Sequence, residues 1–369
     1  MKSTRTRSVI PVALFVVMTA AALSKASDYV AITAHEWGTF TSIAGEDGRA
    51  MSWRPYGGPT DLPCFVDRWT GSGKGPLAGT VRMETPVLYF YGSRDSRASV
   101  KVAFRKGVIT EWYPEAALAE SSDSVAWRDV RIAPGTAPEF QHEHNQSHYY
   151  AARETDAAPL HVGGQSERFL FYRGVGTFPL PLSAKMADDH NILLENFGRD
   201  PIQGLIYFEN RGGKLRFQFP GTMGTKITLD SRTGDGDLSN LLARVKNLLV
   251  DSGLYEKEAR AMIETWRDSW FEEGARFFYI VPRSTVDAVL PLDIRPAPAN
   301  IARVFVGRLE IITPATIENV KQAIDSHDRA SLEKYGRFLE PIAKRIGAKS
   351  PLLDAISSAY LSRSSGCNK

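Results

Sequence analysis

The apolar period of this chain changes near residue 235, and that change decides the fold class. Before it, apolar residues gather in short strand-length runs punctuated by Gly and Pro, and the second of these runs alternates apolar with polar. The runs are METPVLYFYG (83–92), SVKVAFRKGVITEWYP (99–114), RFLFYRG (168–174), GLIYFEN (204–210), KLRFQF (214–219) and TKITLD (225–230). A period of two belongs to strands with one buried face. In the second run Val100, Val102 and Phe104 share a face, and Lys106-Gly107 predicts the turn of a hairpin. Arg211-Gly212-Gly213 predicts another turn. The stretch 114–166 has a poorer apolar pattern and reads as long loops.

After residue 235 the spacing becomes helical. Asp237 can cap a helix whose apolar side carries Leu238, Leu241, Leu242, Val245, Leu248 and Leu249, and Gly253 ends it. A second helix, from about Tyr255 to Glu273, has the stripe Ala259, Met262, Ile263, Trp266 and Trp270, which marks both tryptophans as core. FFYIVP (277–282) and ARVFVGRLEIIT (302–313) return to strand, and Thr313-Pro314 opens another helical stretch. The fold class is therefore α+β: an antiparallel β-sandwich-like body followed by a helical region with additional late strands. The division is 27–234 for the β-rich region and 235–369 for the helix-rich one. Strands near 276–312 could rejoin the first sheet.

Residues 1–26 stand apart. A basic start with Lys2, Arg5 and Arg7 precedes the apolar run VIPVALFVVMTAAAL (9–23), and Ser24-Lys25-Ala26 offers small residues for cleavage before Ser27. That is the three-part secretory signal. The run is about 15 residues against the ~20 a spanning helix needs. The expectation is a mature protein, secreted or periplasmic, with no membrane span. The formal charge is +3, and removing the four cations of residues 1–26 leaves −1. A nearly neutral chain offers no bulk attraction for nucleic acid. Of the two cysteines, Cys64 lies in apolar LPCFV and Cys367 in a polar tail. The favoured reading is a buried thiol and a tail thiol, although an oxidising compartment permits a bridge.

Phosphate-loop, nucleophile-elbow, C-x-x-C, H-E-x-x-H and G-x-G-x-x-G motifs are all missing from the sequence. What it does contain is HEWGTFT (35–41), together with HYYAARETDAAPL (148–160), FLFYRG (169–174), TWRDSWFEEG (265–274) and VFVGRLEIITP (304–314). On these stretches the chain resembles a group of exported bacterial proteins that open with an HEWGTFTS-like segment. The resemblance implies an intact family domain and carries no activity.

Five polar clusters remain as candidates. His35 and Glu36 suit ligand or acid–base work, but neighbours on a strand point to opposite faces. His142, His144 and His148 have spacing compatible with a divalent metal such as zinc, in a stretch that also reads as a solvated loop. Tyr149, Arg153 and Asp156 could form a carbohydrate-type binding surface. Asp268, Glu272 and Glu273 read first as a solvated helix face. Asp230, Asp235 and Asp237 miss the calcium-loop spacing, and Asp237 already serves as a cap.

Two functional readings stay open. The favoured one is a binding or structural module for a polysaccharide, another polymer or a partner protein. The other is a secreted hydrolase, metal-assisted, with His35, Glu36 and His148 as its catalytic centre and a carboxylate from Asp156 or Glu273. The second requires His35 and His148 to converge.

Overall fold

A computed structural model describes residues 32–54, 62–69, 77–143, 147–234 and 236–362. The signal-like segment 1–26 and Cys367 lie outside the described residues, as do His144 and Asp235. The chain opens with β1 (Thr33–Ile43), β2 (Asp67–Arg68), β3 (Val81–Tyr91), β4 (Ser96–Ala103), β5 (Gly107–Tyr113), β6 (Ala117–Leu118) and β7 (Ser124–Ile132). A 3-10 helix over His148–Arg153 precedes β8 (Leu160–Val162), β9 (Gln165–Glu167) and β10 (Leu170–Gly176). Then come β11 (Leu182–Met186), β12 (Asn191–Asn196), β13 (Ile202–Arg211), β14 (Lys214–Met223) and β15 (Lys226–Asp230). Two helices follow, α1 (Leu238–Asp251) and α2 (Glu256–Trp270), then β16 (Gly274–Ile280), α3 (Arg283–Val289), β17 (Leu292–Arg295) and β18 (Asn300–Ile311). The end is helical: α4 (Pro314–Asp325), α5 (Arg329–Glu333), α6 (Leu339–Arg345) and α7 (Pro351–Ser362).

The α+β class holds. Nine strands form one sheet in the order β14-β13-β16-β18-β1-β3-β10-β5-β2. Within it β1 and β18 run parallel, and the other neighbours are antiparallel. The late strands β16 and β18 thus sit between β13 and β1. One face packs on two smaller sheets, β17-β4-β7-β8-β9 and β11-β12-β15, which makes the body sandwich-like. The opposite face is covered by α1, α2 and the 3-10 helix. A third apolar cluster joins Ile43 and Trp53 to the C-terminal helices. β1 is buried at nearly every position because both faces are covered, whereas β4 alternates because one of its faces meets water.

Several local expectations hold. Asp237 Oδ1 accepts the Ser239 N–H at 2.9 Å, capping α1. Thr313 Oγ1 accepts the Thr316 N–H at 3.1 Å, with Pro314 in the first turn of α4. Trp266 and Trp270 are 5% and 1% exposed. Gly212 and Gly213 both have positive φ between β13 and β14, as a two-residue hairpin turn requires.

Three do not. The 99–114 segment turns at Lys106 but makes no hairpin: β4 pairs with β7 and β17, while β5 pairs with β10 and β2. The Phe104 ring fills the space against Gly107 and Gly174, so the two arms part into different sheets. The supposed loop 114–166 contains β7, where buried Val125, Trp127, Val130 and Ile132 face the core. Cys64 is disulfide-bonded, which corrects the reading of a buried free thiol.

Candidate functional site

β1 sends His35 and Glu36 to opposite faces, as strand geometry requires. On the helical side, His35 Nδ1 lies 2.8 Å from Oε2 of Glu258, in the first turn of α2. Glu258 is fully buried and also accepts the Tyr91 hydroxyl and the Tyr255 N–H, at 2.8 and 2.7 Å. The imidazole packs against the rings of Tyr255 and Tyr91, with centroids 4.4 and 5.4 Å away. Among the described residues its Nε2 has no hydrogen-bond partner. On the other side, Glu36 is fully buried and accepts the Tyr172 hydroxyl and the Arg303 Nε–H. Arg303 reaches on to Asp287 at 2.7 Å. Burial, then the Glu36 charge, pushes the Tyr172 phenol well above its usual range. Glu36 is thereby committed to a buried pair.

His148 is elsewhere. It opens the 3-10 helix, and its Nε2 is 2.9 Å from Asp268, both side chains being substantially exposed. Glu258 and Asp268 are ten residues apart on α2, or roughly 15 Å at helical rise. The two histidines therefore sit at opposite ends of that helix. A metal with bonds of ~2 Å cannot bridge them, so the convergent centre of His35, Glu36 and His148 does not form.

The remaining candidates also disperse. His142 stacks on Tyr150 at 4.2 Å. Among the described residues no group of three His, Cys, Asp or Glu side chains is placed to hold a metal ion. Tyr149 is buried and donates its hydroxyl to Glu167, which Arg153 also grips with two nitrogens. These are internal contacts, not a sugar-binding surface. Asp156 is exposed on another side of that turn, paired with Lys257 at 2.5 Å. Asp268 goes to His148, Glu272 accepts from Arg308 at 2.7 Å, and Glu273 accepts the Gly212 N–H at 3.0 Å. That trio is split three ways.

The site that the structure does assemble is apolar. A cleft of about 430 Å³ opens between the turn after β1, the β10–β11 connection and the loop after β12. Arg49, Ala50, Phe178, Leu180, Leu182 and Phe197 line it. Its volume falls in the range of small-ligand pockets. Phe197 is 59% exposed, the most exposed large apolar residue among those described. The Arg49 guanidinium lies over its ring at 5.2 Å and has no carboxylate partner among the described residues. Gly48 brings the turn this close: with φ at +82°, a Cβ there would meet Ser183 Oγ at 2.8 Å. The Gly48 carbonyl accepts the Ala184 N–H of β11 at 3.1 Å. Sequence reasoning passed over these residues. The signals available were the alternating prolines in TFPLPL (177–182) and a phenylalanine in the turn-like NFGRD (196–200).

No protein-family model matches the sequence, and no curated protein matches it. Solved structures do. One is the Mu homology domain of Fcho1 from Danio rerio with bound Eps15 peptide, at 7% identity and a TM-score of 0.32, covering 76% of this chain and 96% of that one. Another is the yeast delta-COP-I mu-homology domain. Alone it is 9% identical with a TM-score of 0.27, covering 76% of this chain and 95% of that one. In complex with a Dsl1 WxWxV peptide it is 10% identical with a TM-score of 0.26, covering 76% and 96%.

Proposed function

We propose that this protein is a binding module whose ligand site is the cleft beside Phe197. The observation that carries the reading is the cleft itself: an exposed aromatic ring over an apolar floor, with a guanidinium at the rim that has no carboxylate partner among the described residues. Water on apolar surface is released when an apolar group covers it, and the cation selects a ligand that also bears a negative charge. The ligand class is therefore an apolar body with an adjacent anionic group.

Anilinonaphthalene sulfonate has that chemistry and serves as the probe. Its fluorescence should rise and saturate on the folded protein. Phe197→Asp should weaken the dye by about tenfold or more, the equivalent of losing much of one buried aromatic contact. Arg49→Gln should weaken it less. A saturating signal unchanged in Phe197→Asp would place the dye elsewhere and overturn the reading.

The module is proposed to act outside the cytoplasm, on the strength of the 1–26 segment. N-terminal sequencing of exported protein should begin near Ser27. Exported protein that still starts at Met1 would rule out cleavage.

A further inference from the structure

The outer face of the smaller sheet β17-β4-β7-β8-β9 carries a second groove, of about 520 Å³. Its floor is made of small side chains: Ser99 on β4, Ala126 on β7 and Ala117 on β6. Its charged side chains are Lys101, Arg128, Arg295 and Asp293. The strand register sets these residues in two rows. Asp293, Lys101, Ala126 and Ala117 face one another across β17, β4, β7 and β6. In the next row Arg295 stands opposite Ser99. On the other side of Ser99 the register of β7 shifts, so Arg128 and Asp129 both stand against that one residue.

The bulge separates a cation from its neighbours' carboxylates. Asp129, with φ at +57°, pairs with Arg97, and Arg131 pairs with Asp95. Arg295 pairs with Asp293 at 2.9 Å. Arg128 and Lys101 are exposed and have no carboxylate partner among the described residues. Neighbouring strands lie about 4.8 Å apart, so Arg295 and Arg128 flank Ser99 with backbones roughly 10 Å from each other. Three cations and one carboxylate thus share a groove on a chain whose formal charge beyond residue 26 is −1.

The floor says which kind of anion fits. The groove lies on the face of a sheet, where the backbone is spent on the ladder and offers no row to a peptide. Ser99, Ala126 and Ala117 leave no apolar pocket to seat a peptide side chain. Trp127, the aromatic residue at the groove, is 1% exposed and presents no ring for a nucleobase to stack on. We propose that this groove binds an acidic polysaccharide. Its carboxylates meet Lys101, Arg128 and Arg295, its sugar rings lie over Ser99 and Ala126, and its hydroxyls donate to Asp293. The groove shares no residue with the cleft beside Phe197 and stands without it.

The probe is a labelled galacturonic acid oligomer, followed by fluorescence anisotropy on the full chain at low ionic strength. Its methyl ester, which is neutral, is the control. The acid should bind and the ester should not, and added salt should weaken the acid because the charges are exposed. Lys101→Glu and Arg128→Glu should each weaken it about tenfold or more, since each sets a like charge against the ligand. Lys214→Glu, on an exposed position of β14, makes the same change in net charge and should leave binding intact. All three positions are exposed, so thermal midpoints should stay near that of the wild type. Phe197→Asp should have no effect. No binding of the acid, binding of the ester, or equal weakening by Lys214→Glu overturns the proposal. So does tighter binding of polyglutamate or of a thymidine oligonucleotide, either of which would give the groove to another class of polymer.

Discussion

Glu84 is a carboxylate in the middle of the protein, 1% exposed. It accepts from Arg337 and has Arg82 3.7 Å away. Burial alone would raise its pKa, but the charges of Arg337 and Arg82 outweigh that and hold it below its ordinary value of 4.5. A carboxyl depressed by folding contributes stability above its unfolded pKa and loses it as pH falls through the folded one. Glu84→Gln should therefore be less stable than the wild type near neutral pH, by roughly 1.5–3 kcal/mol. The gap should close as pH falls below 4.5. Urea midpoints across that range check it, and a gap that persists into strong acid would show that the charge of Glu84 is not what matters. The opposed directions of His35 and Glu36 were legible from strand alternation. Their partners were not, because Glu258 and Arg303 are 223 and 267 residues away in the chain. Only the folded sheet decides which carboxylate meets a cation and which an imidazole.

At the scale of the element, α2 ends on arginines supplied by the sheet. Arg276 on β16 donates to the carbonyls of Trp270, Glu272 and Glu273, at 2.7–2.8 Å. Arg308 on β18 donates to the Ser269 carbonyl at 2.8 Å and to Glu310 at 2.6 Å. The Nε of Arg276 is also 2.8 Å from Glu310, though off the hydrogen-bond direction. A helix C-terminus carries unsatisfied carbonyls and a partial negative charge, so two buried guanidiniums both cap α2 and fasten it to the sheet. Arg276→Met should cost ~3–5 kcal/mol in chemical denaturation, the range for removing one side of a buried ion pair. Arg276→Lys should not restore the loss, since one ammonium cannot span three carbonyls. Full rescue by lysine would reduce the contact to bulk charge. The apolar stripe of α2 was readable from its 3.6 period, and so was the cap of α1. The hairpin over 99–114 was misread because a period of two marks a strand without saying which sheet it joins.

At the scale of the whole molecule, the nine-stranded sheet depends on β16 and β18. Without them it divides into β14-β13 on one side and β1-β3-β10-β5-β2 on the other. A chain ended before Gly274 should therefore lose cooperative unfolding and resistance to protease, both readable on the purified fragment. A sharp thermal transition from that fragment would show that the first part folds alone. The α+β class and the return of strand after the helices were legible in the period. The insertion of those strands beside β1 was not, because parallel pairing leaves no local turn to read. Nor was the apolar cleft, which three separate connections build from residues unremarkable one at a time.

The parallel pairing of β1 with β18 also sets a clock. Glu36 leaves the ribosome 267 residues before Arg303, its partner across that pair. At 5–20 residues per second, β1 waits roughly 10–50 s for its neighbour to be synthesised. During that interval one of the most buried strands of the protein has an unsatisfied edge, open to aggregation or to a chaperone.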